Sequence, residues 1–179
     1  AYYKMEYFDS AAVSFAKVTE LDSSISLPFY YLPFCHYNNA ENELALNSFN
    51  VAIEKFPKKR ELYYYLATIH ASNGDKNLEL LTYNKLLKLY PNEHKAIIQR
   101  ANLHNELQHF ELAVKDLNKA IELNEYEGEA YLLRGIININ TARIKEGCAD
   151  LNMAEAMGEE ASALFELQKM HCEEPEPSE

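Results

Sequence analysis

Apolar residues recur three and four positions apart along most of the chain, the spacing that gathers them on one side of an α-helix. Between Arg60 and Glu93, Tyr63, Leu66, Ala67 and His70 fall on one helical face. The turn-forming run Asn73-Gly74-Asp75 interrupts the pattern. Leu81, Tyr83, Leu86, Leu87 and Leu89 then mark a second helix, closed by Tyr90-Pro91-Asn92. Moving this frame by 34 residues in either direction brings the same residue types into register.

The period predicts complete helix–turn–helix units at 26–59, 60–93, 94–127 and 128–161. Residues 1–25 read as a partial unit in which Ala11, Phe15 and Val18 pack and Tyr2 ends a shortened first helix. Because stacked repeats do not begin on half a unit, the chain is expected to be a fragment or to continue upstream. In the first complete unit Ser26 is the expected N-cap and Pro28 falls in the first turn. Phe29, Leu32 and His36 mark its inner face, and Ala45, Phe49, Ala52 and Pro57 mark its second helix. Pro33 stands where Gly or Ala is expected and is read as a tolerated irregularity, since a helix-interior proline removes one N–H bond at a cost of ~3 kcal/mol unless packing compensates. Ala101, Phe110, Ala113, Leu117 and Ala120 keep the third unit in register, and Tyr131, Gly135, Gly147, Leu151 and Ala154 the fourth. Small residues recur where two helices cross closely. A short helix over 160–171, carrying Ala161, Leu164, Leu167 and Gln168, makes 162–172 the expected capping segment. Residues 173–179 read as a disordered acidic tail.

A 34-residue period with an aromatic or Leu, then Leu, then Ala or Gly, and a later Ala, aromatic, Ala and Pro resembles the tetratricopeptide repeat family. The resemblance runs over residues 1–171, although Glu125 and Glu159 replace the closing proline of the last two units. It implies an all-α fold, a right-handed α-solenoid of helical hairpins with a C-terminal capping helix. The first helices of that fold line a concave groove that takes a peptide or a helix of another protein. Because such a fold is a scaffold, it implies no particular chemistry.

Within each first helix, unit sites 4, 7, 8 and 11 face the partner helix, whereas sites 2, 5, 9 and 12 point elsewhere. The latter hold Leu27, Tyr30, Phe34 and Tyr37, then Glu61, Tyr64, Thr68 and Ala71. They continue with Lys95, Ile98, Asn102 and Asn105, then Glu129, Leu132, Ile136 and Ile139. The expected peptide groove is therefore Tyr30, Phe34, Tyr37, Tyr64, Thr68, Lys95, Ile98, Asn102, Asn105, Leu132 and Ile136. Its apolar members would bury the ligand, and Asn102, Asn105 and Lys95 would bond its backbone or an acidic group. The alternative is that these side chains pack on neighbouring helices or on a second copy. One branch of the family grips chaperone C-termini with Lys, Arg and Asn, but the matching places here hold Tyr30, Phe34, Tyr65, Lys95 and Gln99, of which only Lys95 fits.

Charge narrows the partners. The net charge is −11, of which Glu155–Glu179 contributes −7 through eight Glu and one Lys. An acidic surface repels phosphate backbones, so the expected partner is a protein or peptide and not nucleic acid. No apolar run approaches the ~18 residues of a membrane helix, and no signal peptide precedes the first helix, so no membrane insertion is expected. Homodimerisation or scaffold assembly is the alternative, and a third is the targeting arm of an enzyme, as in O-linked N-acetylglucosamine transferases.

His36, His70 and His104 share one site in three units. The repeat spacing, on the order of the 8–10 Å between packed helices, is too long for two imidazoles on one zinc, so buried neutral histidines and no metal are expected. Cys35 reads as a buried, inert thiol. Cys148 and Cys172 lie 12 residues before and after Glu160 and are a candidate disulfide. Reduced thiols would suit the cytoplasm, and a bridge would point to a periplasmic or other extracytoplasmic compartment. The chain has no phosphate loop, H-E-x-x-H, C-x-x-C, G-x-S-x-G or dinucleotide fingerprint, so neither catalytic residues nor a cofactor are expected.

Overall fold

The structure is a computed structural model that describes residues 7–160 and 162–172. The expectations for Tyr2, Ala161 and the tail at 173–179 lie outside those residues. The described residues form ten α-helices and no strand: α1 (Phe8–Leu21), α2 (Ser26–Asn38), α3 (Asn42–Lys55), α4 (Arg60–Ser72), α5 (Lys76–Leu89), α6 (His94–Glu106), α7 (Phe110–Leu123), α8 (Gly128–Asn140), α9 (Ile144–Ala156) and α10 (Ser162–His171). They divide into two compact units, Ala1–Leu89 and Tyr90–Glu179. Among the described residues no helix is long and apolar enough to cross a membrane.

In the first unit α1 packs on α2, α2 on α3, α3 on α4 and α4 on α5. Phe34, Ala45, Phe49, Ala52, Leu62, Leu66 and Ile69 form its main core, because the 3.6-residue period turns these positions inward from three successive helices. A smaller cluster of Ala11, Ala12 and Cys35 seats α1. The helix α2 runs through Pro33, which is buried. Ser26 is not the cap of α2: Ile25 occupies that place in extended conformation, and no side chain caps the helix. The serine hydroxyl is thereby carried into the first turn.

In the second unit α6 packs on α7, α7 on α8, α8 on α9, and α10 on both α9 and α8. Gly135 and Gly147 meet where α8 crosses α9. A Cβ at position 147 would lie 2.6 Å from Ile139 Cγ1 and 3.0 Å from the Gly135 carbonyl, so the crossing distance depends on the missing side chains.

The turns are built alike. Ala40, Gly74, Gln108 and Ala142 all adopt left-handed φ values of 59–76°, and they recur at intervals of 34 residues. After each, the next N–H reaches back to close the helix end: Glu41 to His36, Asp75 to His70, His109 to His104 and Arg143 to Asn138, at 2.8–2.9 Å. Gly158 closes α9 in the same manner, with Glu159 donating to Ala154.

Candidate functional site

On the first unit the outward positions of α2 and α4 converge on an aromatic cluster. Tyr30 lies edge-on to Phe56 at 5.7 Å and tilted against Phe34 at 5.6 Å. Phe34 is perpendicular to Phe49 and to Tyr65, and Tyr37 is perpendicular to Tyr65 at 5.1 Å. Tyr64 stands edge-on to Tyr83 of α5. These arrangements place positive ring edges against negative faces and hold each ring in one orientation.

Polar groups tie the same cluster down. The Tyr30 hydroxyl donates to Glu61 Oε1 at 2.6 Å, and the Lys59 ammonium lies 5.4 Å from the Tyr30 ring centre. Burial alone would raise the Glu61 carboxyl. The Tyr30 hydroxyl, the residue's own N–H and the charges of Lys59 and Arg60 together hold it below its ordinary value. A carboxylate fixed by a tyrosine across α2 and α4 is what keeps that ring in place.

The structure divides the expected groove residues. Tyr30, Tyr37 and Tyr64 are half-buried and Thr68 is exposed, so each keeps part of its surface outside the core of the first unit. Phe34, at 6% exposure, cannot, because Phe49 and Tyr65 enclose it within the core. On the second unit Lys95 is exposed, and Asn102, Asn105, Leu132 and Ile136 are half-buried. Ile98 is withdrawn, at 3% exposure. The reason is shared: 100° per residue separates two faces only coarsely, and a large side chain at the boundary turns toward apolar neighbours. Tyr65 was assigned to the face only as a mismatched clamp position, yet it joins Phe34, Tyr37 and Phe49. An apolar sequence position beside two other tyrosines was its signal.

Two clefts on the first unit are small. One between α2 and α3, about 190 Å³, is lined by Phe29, Leu32, Asn47, Ser48 and Val51, with the Lys55 ammonium 4.2 Å from the Phe29 ring. The other, about 230 Å³, lies between Asp9, Ala12, Val13 and Ala16 of α1 and His36, Asn39 and Glu41. Both fall short of the ~300–1,000 Å³ that encloses a small molecule. Among the described residues no group of His, Cys, Asp and Glu could hold a metal ion.

The second unit carries two paired charges that sequence inspection missed. Arg100 grips Asp116 through both carboxylate oxygens at 2.7 Å, and Arg134 grips Asp150 at 2.9 and 2.6 Å. Asn138 donates to the same Asp150, and Arg134 reaches Asn118 as well. The signal was present as Arg and Asp 16 residues apart, repeated one period later. At the equivalent places the first unit has Leu66 with Thr82, both buried. These pairs join the two helices of a hairpin.

Cys148 of α9 and Cys172 after α10 form a disulfide with Cα atoms 5.5 Å apart. Cys35 is free and buried in the first unit. His70 and His104 are buried, and the Nδ1 atom of each has no hydrogen-bond partner among the described residues. His36 instead meets Glu41 at 2.6 Å.

Comparisons with known proteins agree with this geometry. The tetratricopeptide repeat model matches residues 94–127. The fold resembles the solved structure of YrrB, described as a TPR protein with an unusual peptide-binding site, with a TM-score of 0.78 at 17% identity over 94% of this chain and 87% of that one. It also resembles MamA, with a TM-score of 0.74 at 15% identity over 87% of this chain and 91% of that one. A tetratricopeptide repeat protein from Parabacteroides merdae aligns at a TM-score of 0.63 and 18% identity, over 96% of this chain and 95% of that one. No curated protein matches the chain in sequence. The repeating hairpins, their recurrent left-handed turns and these likenesses agree: residues 94–127 match the tetratricopeptide repeat model, and the chain has the all-α fold of the tetratricopeptide repeat solenoids it resembles.

Proposed function

We propose that this chain is a protein-interaction module that takes an apolar or aromatic-bearing peptide or helix of a partner protein, and that it has no catalytic role. Tyr30, Tyr37, Tyr64 and Thr68 form the contact face of the first unit. Lys95, Asn102, Asn105, Leu132 and Ile136 form that of the second, with the amides and the ammonium directed at ligand backbone or an acidic group. The observation that carries the reading is the fixed, half-buried tyrosine cluster of the first unit. Its rings are already ordered, so a ligand meets apolar area whose rotamer entropy is spent before binding. The peptide-binding site named for YrrB, whose fold is similar, supports the class of function.

Thr68 is the position for a test, since its residue is exposed and its hydroxyl donates within α4, to the Tyr64 carbonyl. A random peptide library panned on the intact chain should enrich sequences rich in Phe, Tyr, Leu or Ile. Thr68→Arg should abolish that enrichment while leaving the melting temperature unchanged. Enrichment that survives Thr68→Arg and Tyr64→Ala would place the ligand elsewhere, and no enrichment at all would remove the reading.

Self-association is the second reading. It is favoured by Val13 and Leu21 of α1, which are 71% and 77% exposed. Light scattering across a dilution series separates the two, because a monomer at every concentration leaves only the ligand reading.

A further inference from the structure

We propose that the Cys148–Cys172 bond is a redox-operated latch: its reduction releases α10 from α8 and α9 and uncovers the apolar end of the second unit. The bond closes a stretch with a sequence separation of 24 and ties the body of α9 to the residue that follows α10. Among the described residues, two further attachments hold α10. Leu164, near its start, is fully buried against Tyr131 and Ala154, with Ile121 and Leu132 beside them. Gln168 donates to Asn152 Oδ1 and Glu155 Oε2, both at 3.0 Å. Phe165, Glu166, Lys169, Met170 and His171 are all exposed.

A helix of 10 residues is shorter than the ~12–15 that persist unaided in water, so α10 depends on its attachments. Two of these, Leu164 and the disulfide, sit at opposite ends. Losing the second leaves Leu164 and the Gln168 hydrogen bonds to orient the helix. Both cysteines are half-buried and neither belongs to the sealed core. Cys35 lies in the other unit and is buried, so it offers no competing partner for exchange.

The chemistry is ordinary exchange with a dithiol. One thiolate of the reductant attacks a cystine sulfur, forms a mixed disulfide and expels the other sulfur as a thiolate. The reductant's second thiol then displaces the remaining sulfur and closes the reductant into a cyclic disulfide. The dithiol is oxidised by two electrons, and its two protons end on Cys148 and Cys172. The proposal is independent of the ligand reading, although Leu132 belongs to both surfaces.

Hydrogen exchange read by mass spectrometry on the full chain, with and without dithiothreitol, tests it. A thiol count in denaturant should give one before reduction and three after. Amides of α10 should then exchange faster by about ten-fold or more, with α8 and α9 unchanged. Cys148→Ser combined with Cys172→Ser should reproduce the reduced behaviour without reductant. Should that variant fail to fold, the wild-type measurement stands alone. Three thiols before reduction, equal α10 exchange in both states, or loss of protection throughout α6–α10 would each overturn the proposal.

Discussion

His36, His70 and His104 occupy one repeat position, yet their surroundings differ by the residue five places on, which is Glu41, Asp75 or His109. The glutamate reaches its histidine. The shorter aspartate acts on His70 only through its field, and His109 opposes any charge on His104. Burial is the larger influence on both and holds their imidazoles below the ordinary value. The unfolded chain, with histidines near 6.5, therefore binds more protons than the folded one once the pH drops below that value. Stability is in full above pH ~6.5 and lost as the pH falls through it toward the lower folded values. Thermal midpoints should decline between pH 7 and 5, and the decline should be smaller in His70→Phe with His104→Phe. A flat profile would mean that both imidazoles are solvated. Burial at these sites was legible because His replaced an aromatic residue at an inward position. The identity of the charged neighbours was not, since a turn intervenes.

Four turns use a left-handed residue at one position, and only Gly74 among them lacks a Cβ. The other three, Ala40, Gln108 and Ala142, carry a cost of about 1–2 kcal/mol each against the right-handed region. Gln108→Gly should stabilise the chain by roughly 0.5 kcal/mol, because relief of that strain outweighs the added freedom of glycine when unfolded. Chemical denaturation measures the gain, and a loss would show that the Gln108 side chain contributes contacts of its own. The paired charges act on the hairpins themselves. Asp116→Ala removes the two-point carboxylate partner of a partly buried guanidinium and should cost about 3 kcal/mol. Arg100→Leu together with Asp116→Thr, which copies Leu66 and Thr82, should recover most of that loss in the same denaturation experiment. A double variant as unstable as the single one would mean that the charge pair does more than fill the hairpin.

For the whole chain, the all-α fold was readable because one period runs through it, and each helix repeats the same inward set. The candidate face was readable only in part. Spacing distinguishes inward from outward, but Phe34 and Ile98 sit at the boundary, where neighbouring rings and aliphatic chains decide. Long-range pairs such as Arg100 with Asp116 are still harder to see, since they appear only when two helices are laid side by side. Charge follows the same division into units: residues 1–89 hold nine basic and ten acidic side chains, and residues 90–179 hold eight and 18. The tyrosine face thus stands on a nearly neutral unit, which suits an apolar ligand, and ligand affinity there should change little with salt.

Cys35 lies sealed in the first unit, and its burial pushes the thiol up to about 11. At neutral pH it is neither ionised nor reachable, so an alkylating dye leaves it unmarked in the native fold. Colour taken up without denaturant consequently reports the 148–172 pair alone, and the chain carries its own blank for any redox titration.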